Sequence, residues 1–273
     1  MINITHLQTR HAERGNAKKL EPYLAKAHVY APEFAALTEE GALAEETRWR
    51  ERLSTGGSVA AFEKETRSRF SHLSPDQAEY ALAEWVLCFK HKVPVWYLER
   101  MSTFQAGRVY ELDGKVNSEL EQGLQALEKG EIDRFLDFER KSLEYEAKRD
   151  KLRDREVGQN LQRAEQQIRM RYSELAAKDP IDFIFGMGKF HKPEKYTSVS
   201  MTPVDLAGAS RTIVERLDEG LWNERPFDEL KILALGYGVL ELTKRGVWAF
   251  KESQIREMDF ETLSREIKRQ VRT

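Results

Sequence analysis

Ile2-Asn3-Ile4-Thr5-His6-Leu7, followed after a polar turn and a short helix by His28-Val29-Tyr30-Ala31, decides the fold class of this chain. The first stretch alternates apolar and polar residues at period two, the pattern of a strand with one face buried. Residues from about Asn16 to Ala27 then place Ala17, Leu20, Leu24 and Ala27 on one helical face. The second stretch reads as a short strand ending at Pro32-Glu33. Strand, short helix and strand predict a βαβ unit and therefore a parallel sheet. The expectation is an α/β fold: a small, mostly parallel central sheet flanked by many helices.

Further along, residues 34–53 and 58–71 read as helices separated by Gly56-Gly57-Ser58. Ser74-Pro75-Asp76 signals the start of another helix, running toward His91. Val93-Pro94-Val95-Trp96-Tyr97-Leu98 predicts a third strand, closed by Glu99-Arg100. Residues 102–117 read as a loop or short hairpin turning at Asp113-Gly114. From Ser118 to about Leu175 the pattern is helical, with breaks near Gly130 and Gly158. Ile181-Asp182-Phe183-Ile184-Phe185 predicts a fourth strand ending in Gly186-Met187-Gly188-Lys189-Phe190-His191, and Tyr196 to Met201 a further short one. Helices over about 203–219, 227–245 and 259–271 complete the chain. Without repeats or an obvious linker, 1–273 reads as one domain carrying a large, mostly helical insertion at 102–176.

Hydrophobic residues make up 40% and charged residues 33% of the chain, a water-soluble balance. A net charge of −2 gives no pull toward nucleic acid or an anionic membrane. No apolar stretch approaches the ~20 residues needed to cross a bilayer. The single cysteine, Cys88, excludes an intrachain disulfide and a cysteine-rich zinc module. Its setting, Trp85-Val86-Leu87-Cys88-Phe89, reads as core. The first residues lack a secretory pattern, so a cytoplasmic location is expected. The expected partner is a small-molecule or peptide substrate, with neither nucleic acid nor membrane.

Ligands of parallel α/β sheets bind beyond the carboxyl ends of the strands. Those ends carry Thr9-Arg10-His11-Ala12-Glu13-Arg14, then Glu33, then Glu99-Arg100, then the run from Gly186 to His191. On the long helix Val157, Leu161, Ala164, Ile168, Tyr172 and Leu175 form an inward stripe. Traced backward, the stripe passes through Asp150 with Arg153 and Asp154 at its margins. Charge there replaces hydrocarbon, which is costly unless the groups pair or serve a site. The motifs His-Glu-x-x-His, Gly-x-Ser-x-Gly, the phosphate-binding loop and the dinucleotide fingerprint are absent.

This order of features resembles the TraB / ChaN / erythromycin esterase-like group over residues 1 to about 200. Thr9-Arg10-His11 stands at that group's first, histidine-bearing turn and Ala31-Pro32-Glu33 at its strand-end glutamate. Leu152-Arg153-Asp154 to Leu161 matches its Arg-Asp helix, and Gly186-Met187-Gly188-Lys189-Phe190-His191 its late glycine-histidine turn. The glycine before the first histidine is missing here, and two extra residues separate the last glycine pair from His191. The resemblance implies a hydrolytic centre that in some relatives depends on a divalent metal ion. His11, Glu33 and His191 would suit a two-histidine, one-carboxylate metal site. Glu13 would serve as general base, and Arg10 or Arg153 would steady an oxyanion. Asp154, Glu99 and Arg100 would join Arg10 on the substrate side. Without metal, a histidine would act as base on water. Two other readings stand beside it. One is a non-catalytic ligand-binding or regulatory protein that keeps the fold. The other is a scaffold whose segment 118–176 pairs with a partner or forms a homodimer, although Phe135, Leu136, Phe138 and Leu143 call for burial.

Overall fold

A computed structural model describes every residue except 10–13, 33–36, 71–74, 189–190, 210–211 and 272–273. The alternating N-terminal stretch is β1 (Ile2–Thr9), and α1 (Arg14–Leu24) leads to β2 (Val29–Ala31). Next come β3 (Leu37–Thr38), α2 (Glu39–Thr55), α3 (Val59–Arg67), α4 (Pro75–Lys90) and β4 (Arg100–Met101). Two long helices follow, α5 (Thr103–Glu128) and the 40-residue α6 (Ile132–Arg171). The chain finishes with β5 (Ile181–Gly188), β6 (Thr202–Asp205), α7 (Ile213–Trp222), α8 (Phe227–Lys244), α9 (Glu252–Arg256) and α10 (Phe260–Gln270).

β2, β5, β1 and β6, in that order, make a four-stranded, all-parallel sheet, and β3 pairs with β4 separately. The expected α/β class, helices flanking a parallel sheet, is the one the chain adopts. β5 lies between β1 and β2, so the strands of the N-terminal βαβ unit are parallel without being neighbours. Period-two alternation divides the core between the two faces. Ile4 pairs with Phe183 and Val29 with Phe183, and these residues pack with Val157, Leu161, Ala164 and Ile168 of α6. Leu7, Tyr30 and Ile184 point the other way, into a core with Leu20 and Leu24 of α1, Trp49 of α2 and Trp85 of α4.

Four expectations are corrected. Residues 93–98 do not form a full strand: Val95 makes one parallel bridge to Tyr30, whose N–H donates to the Pro94 carbonyl. The Tyr97 N–H donates instead to the Glu46 carboxylate at 2.9 Å, which takes the segment out of the ladder. Residues 102–117 are not a hairpin but the start of α5. Ser102 Oγ accepts from the Gln105 N–H while Gln105 Oε1 accepts from the Ser102 N–H, a reciprocal cap that begins the helix. Gly158 does not break α6. Tyr196 ends a 3-10 turn (Pro193–Tyr196) rather than starting a strand; the strand is β6, so the helix expected from about 203 begins only at Ile213.

The chain divides into two compact units: Met1–Ala106 with Arg153–Gly208, and Gly107–Leu152 with Ala209–Thr273. The first holds the sheet. The second is helical, with a core that includes Leu124, Phe135, Leu235, Val239 and Leu263. Among the described residues no helix is long and apolar enough to cross a membrane.

Candidate functional site

Parallel pairing ends β1 and β5 together, Thr9 opposite Gly188, while Ala31 of β2 sits opposite Phe185. Just beyond this edge a pocket of ≈ 10 Å³, about the room of one water, opens between Ala31, Pro32, Leu98, Glu99, Val157 and Gly186. The apolar stripe of α6 lies on the sheet, so the turn of α6 before Val157 reaches this edge with Arg153 and Asp154.

Three contacts fix the geometry. Asn160 Nδ2 donates to the carbonyls of Leu98 (2.7 Å) and Arg100 (3.0 Å), pinning the segment that carries Glu99 to α6. Arg153 then donates to Glu99 Oε1 from Nη2 at 2.7 Å and from Nε at 3.1 Å. Asp154, 1% exposed, accepts at Oδ2 from the Lys192 N–H at 2.9 Å, and its Oδ1 lies 2.7 Å from His191 Nδ1. Gly158 makes the last contact possible. A Cβ there would lie 2.8 Å from Tyr196 Cβ and 2.9 Å from its carbonyl carbon, so only glycine lets the 193–196 turn rest on the helix.

Adjacent residues of α6 therefore join two separate partners, Arg153 with Glu99 and Asp154 with His191. Each pair is nearly buried, with side-chain exposures of 15% and 5% in the first and 10% and 2% in the second. An oriented carboxylate fixes the tautomer of an imidazole and stabilises its protonated form. A guanidinium held by a carboxylate keeps a fixed direction for its remaining donors.

Arg100 faces a different cluster. Its Nη1 reaches Glu39 at 3.0 Å, its Nε the Tyr97 carbonyl at 2.8 Å, its Nη2 contacts Glu46, and its guanidinium covers the Trp96 ring at 4.8 Å. Arg171 completes the group, with Glu46 at 3.0 Å and Glu39 at 3.1 Å. Burial pushes the Glu46 carboxyl up while Arg100 pulls it back, and burial lowers Arg100. Two acids balance two arginines there, tying α2 to α6.

On the opposite face of β5, the buried Tyr30 hydroxyl donates to Glu84. Burial and the Glu84 charge hold Tyr30 well above its ordinary pKa, so it stays a neutral donor. Gly186 makes room for it, since a Cβ there would stand 2.6 Å from the Tyr30 oxygen. A lone glutamate inside the apolar run of α4 was the sequence signal for this pair, as was a lone asparagine beside the α6 stripe for Asn160.

Of the nine residues singled out from sequence, Glu99, Arg153, Asp154 and His191 form the two pairs and Arg100 stands in the Glu46 cluster. Arg10, His11, Glu13 and Glu33 lie outside the described residues. Among the described residues no group of three His, Cys, Asp or Glu side chains could hold a metal ion, and two of the three expected ligands are not among them. No family model, curated protein sequence or solved structure matches this chain.

Proposed function

We propose that this chain is a hydrolase of ester or peptide bonds, acting on a small-molecule or peptide substrate at the carboxyl ends of β1, β2 and β5 in a cytoplasmic setting. The observation that carries the reading is the buried Asp154–His191 pair at 2.7 Å, beside a guanidinium held by Glu99. His191 takes the proton of the attacking water, and Asp154 holds the ring and balances the imidazolium. Arg153 steadies the oxyanion that forms, the role the reading also gives to Arg10. Glu13, Glu33 and His11 belong to the same reading as residues of the first two strand ends. It rests also on the resemblance to the TraB / ChaN / erythromycin esterase-like group.

The same ring fits a metal-bound role. Ligating histidines usually hand their other ring nitrogen to a carboxylate, as His191 does to Asp154. His191, His11 and Glu33 would hold the ion, which when bound lowers the pKa of its water.

The test is turnover on chromogenic esters and short peptides, with and without added zinc, manganese or magnesium, together with elemental analysis of the purified protein. The expected result is hydrolysis by the wild type and a loss of about 10²-fold or more in His191→Ala. A metal-free wild type that is inactive across both panels overturns the hydrolase reading and favours a ligand-binding protein that keeps the fold.

A further inference from the structure

The helical unit buries acids that the hydrolase reading does not use. On α6 the inward positions after Phe135 and Leu136 run Glu139, Leu143, Glu146 and Asp150, so carboxylates replace hydrocarbon three times along one face. Glu139 is 1% exposed, and its Oε2 has no hydrogen-bond partner among the described residues. The charges that act on it are those of acids, Glu146 on its own helix and Glu241 on α8.

The surroundings supply little compensation. Arg149 reaches Asp150 at 2.7 Å, Glu146 at 2.9 Å and Asp113 of α5 at 3.0 Å. From α7, Asp218 stands near Glu146, Asp150 and Glu215, and Glu215 itself is held in the cap of that helix. From α8 come the Tyr237 hydroxyl and Glu241, the latter paired at the surface with Lys244 at 2.6 Å. Acids outnumber cations among these groups, and a buried carboxylate without a partner is far cheaper protonated than ionised.

We propose that the helical unit is a proton-responsive device, held closed by protons on the buried carboxylates around Glu139 and loosened when they leave. Burial, then Glu146 and Glu241, push the Glu139 carboxyl up to about 8. Burial and its acidic neighbours raise Asp218 to about 7, against the pull of Arg149. Groups raised in the folded state bind protons more tightly folded than unfolded. Their stabilisation is therefore complete below the ordinary carboxylate range and lost as pH rises through about 7 to 8.

Hydrogen exchange of the intact protein, read by mass spectrometry and corrected for intrinsic rates, tests this. Peptides covering 135–150 and 230–244 should lose roughly 10–100-fold of their protection between about pH 6 and about pH 8.5. Peptides from β1 and β5 serve as the internal reference. Glu139→Gln keeps the shape, removes the charge and should shrink that loss at least about fivefold, leaving only the share that Asp218 contributes. A wild type with pH-independent protection, or a Glu139→Gln protein that loosens in parallel with it, overturns the proposal. Should Glu139→Gln fail to fold, a carboxyl-carbon titration of Glu139 in the wild type decides. A midpoint near 8 supports the device, and one in the ordinary carboxylate range ends it.

Discussion

Up to Leu152, α6 presents Glu139, Glu146 and Asp150 to the helical unit, and Arg149 reaches the last two but not the first. From Arg153 onward the same helix presents Arg153 and Asp154, each matched to a partner of opposite or complementary chemistry, and then an apolar stripe. One helix thus buries charge in two ways. Where each ion has its partner, breaking a pair strands the other member and costs about 3–5 kcal/mol. Where acids outnumber cations, the cheaper response is to keep a proton, and the cost becomes a function of pH.

The strongest way to break that contrast is Arg149→Met against Arg153→Met, both read by denaturant unfolding. Arg149→Met takes a shared cation from Asp113, Glu146 and Asp150 and should cost about 4 kcal/mol at pH 8, and less at lower pH because burial already raises the Glu146 carboxyl toward holding a proton. Arg153→Met should cost about 3 kcal/mol, with little change over that range. Equal pH slopes for the two would erase the distinction. Asp154→Asn tests whether the paired half serves chemistry: turnover should fall about 10²-fold, about 2.7 kcal/mol in the barrier, while fluorescence-detected unfolding still shows a folded protein.

Two smaller effects sharpen the comparison through glycine. Gly158→Ala should destabilise by about 1–2 kcal/mol despite alanine's better helix propensity, because Tyr196 backbone atoms must move. Gly107→Ala on α5, where nothing lies within 4 Å, should stabilise by about 0.5–1 kcal/mol. The same substitution is expected to change sign between the units, and thermal unfolding midpoints would show it.

Much of the fold was legible because period two and period 3.6 leave different marks. Ile2 to Leu7 and Ile181 to Phe185 alternate or run apolar as strands do, and the α6 stripe repeats as a helix must. The failures have physical causes. Pro94 and the lure of β-branched and aromatic neighbours suggested a strand at 93–98, while the deciding contact was a carboxylate 51 positions earlier in sequence. Asp113-Gly114 looked like a turn because local dipeptide preference ignores Arg149, which holds Asp113 from the next helix. In the site, the Arg153-Asp154 pair was legible as charge interrupting a stripe. Its division between Glu99 and His191 was not, since both partners depend on chain folding across 54 and 37 residues.

β1 pairs along its whole length with β5, from Ile2 with Ile181 to Thr9 with Gly188. The central seam of the sheet therefore waits for synthesis of the roughly 170 residues between them, about 10–30 s at ribosomal rates of ~5–20 residues per second. During that interval β1 is an unpaired apolar edge, and closing so long a loop carries its own entropic cost. The helical unit waits longer still, because residues 107–152 complete their core only with 209–273. A nascent chain of this protein is thus long exposed and late to close.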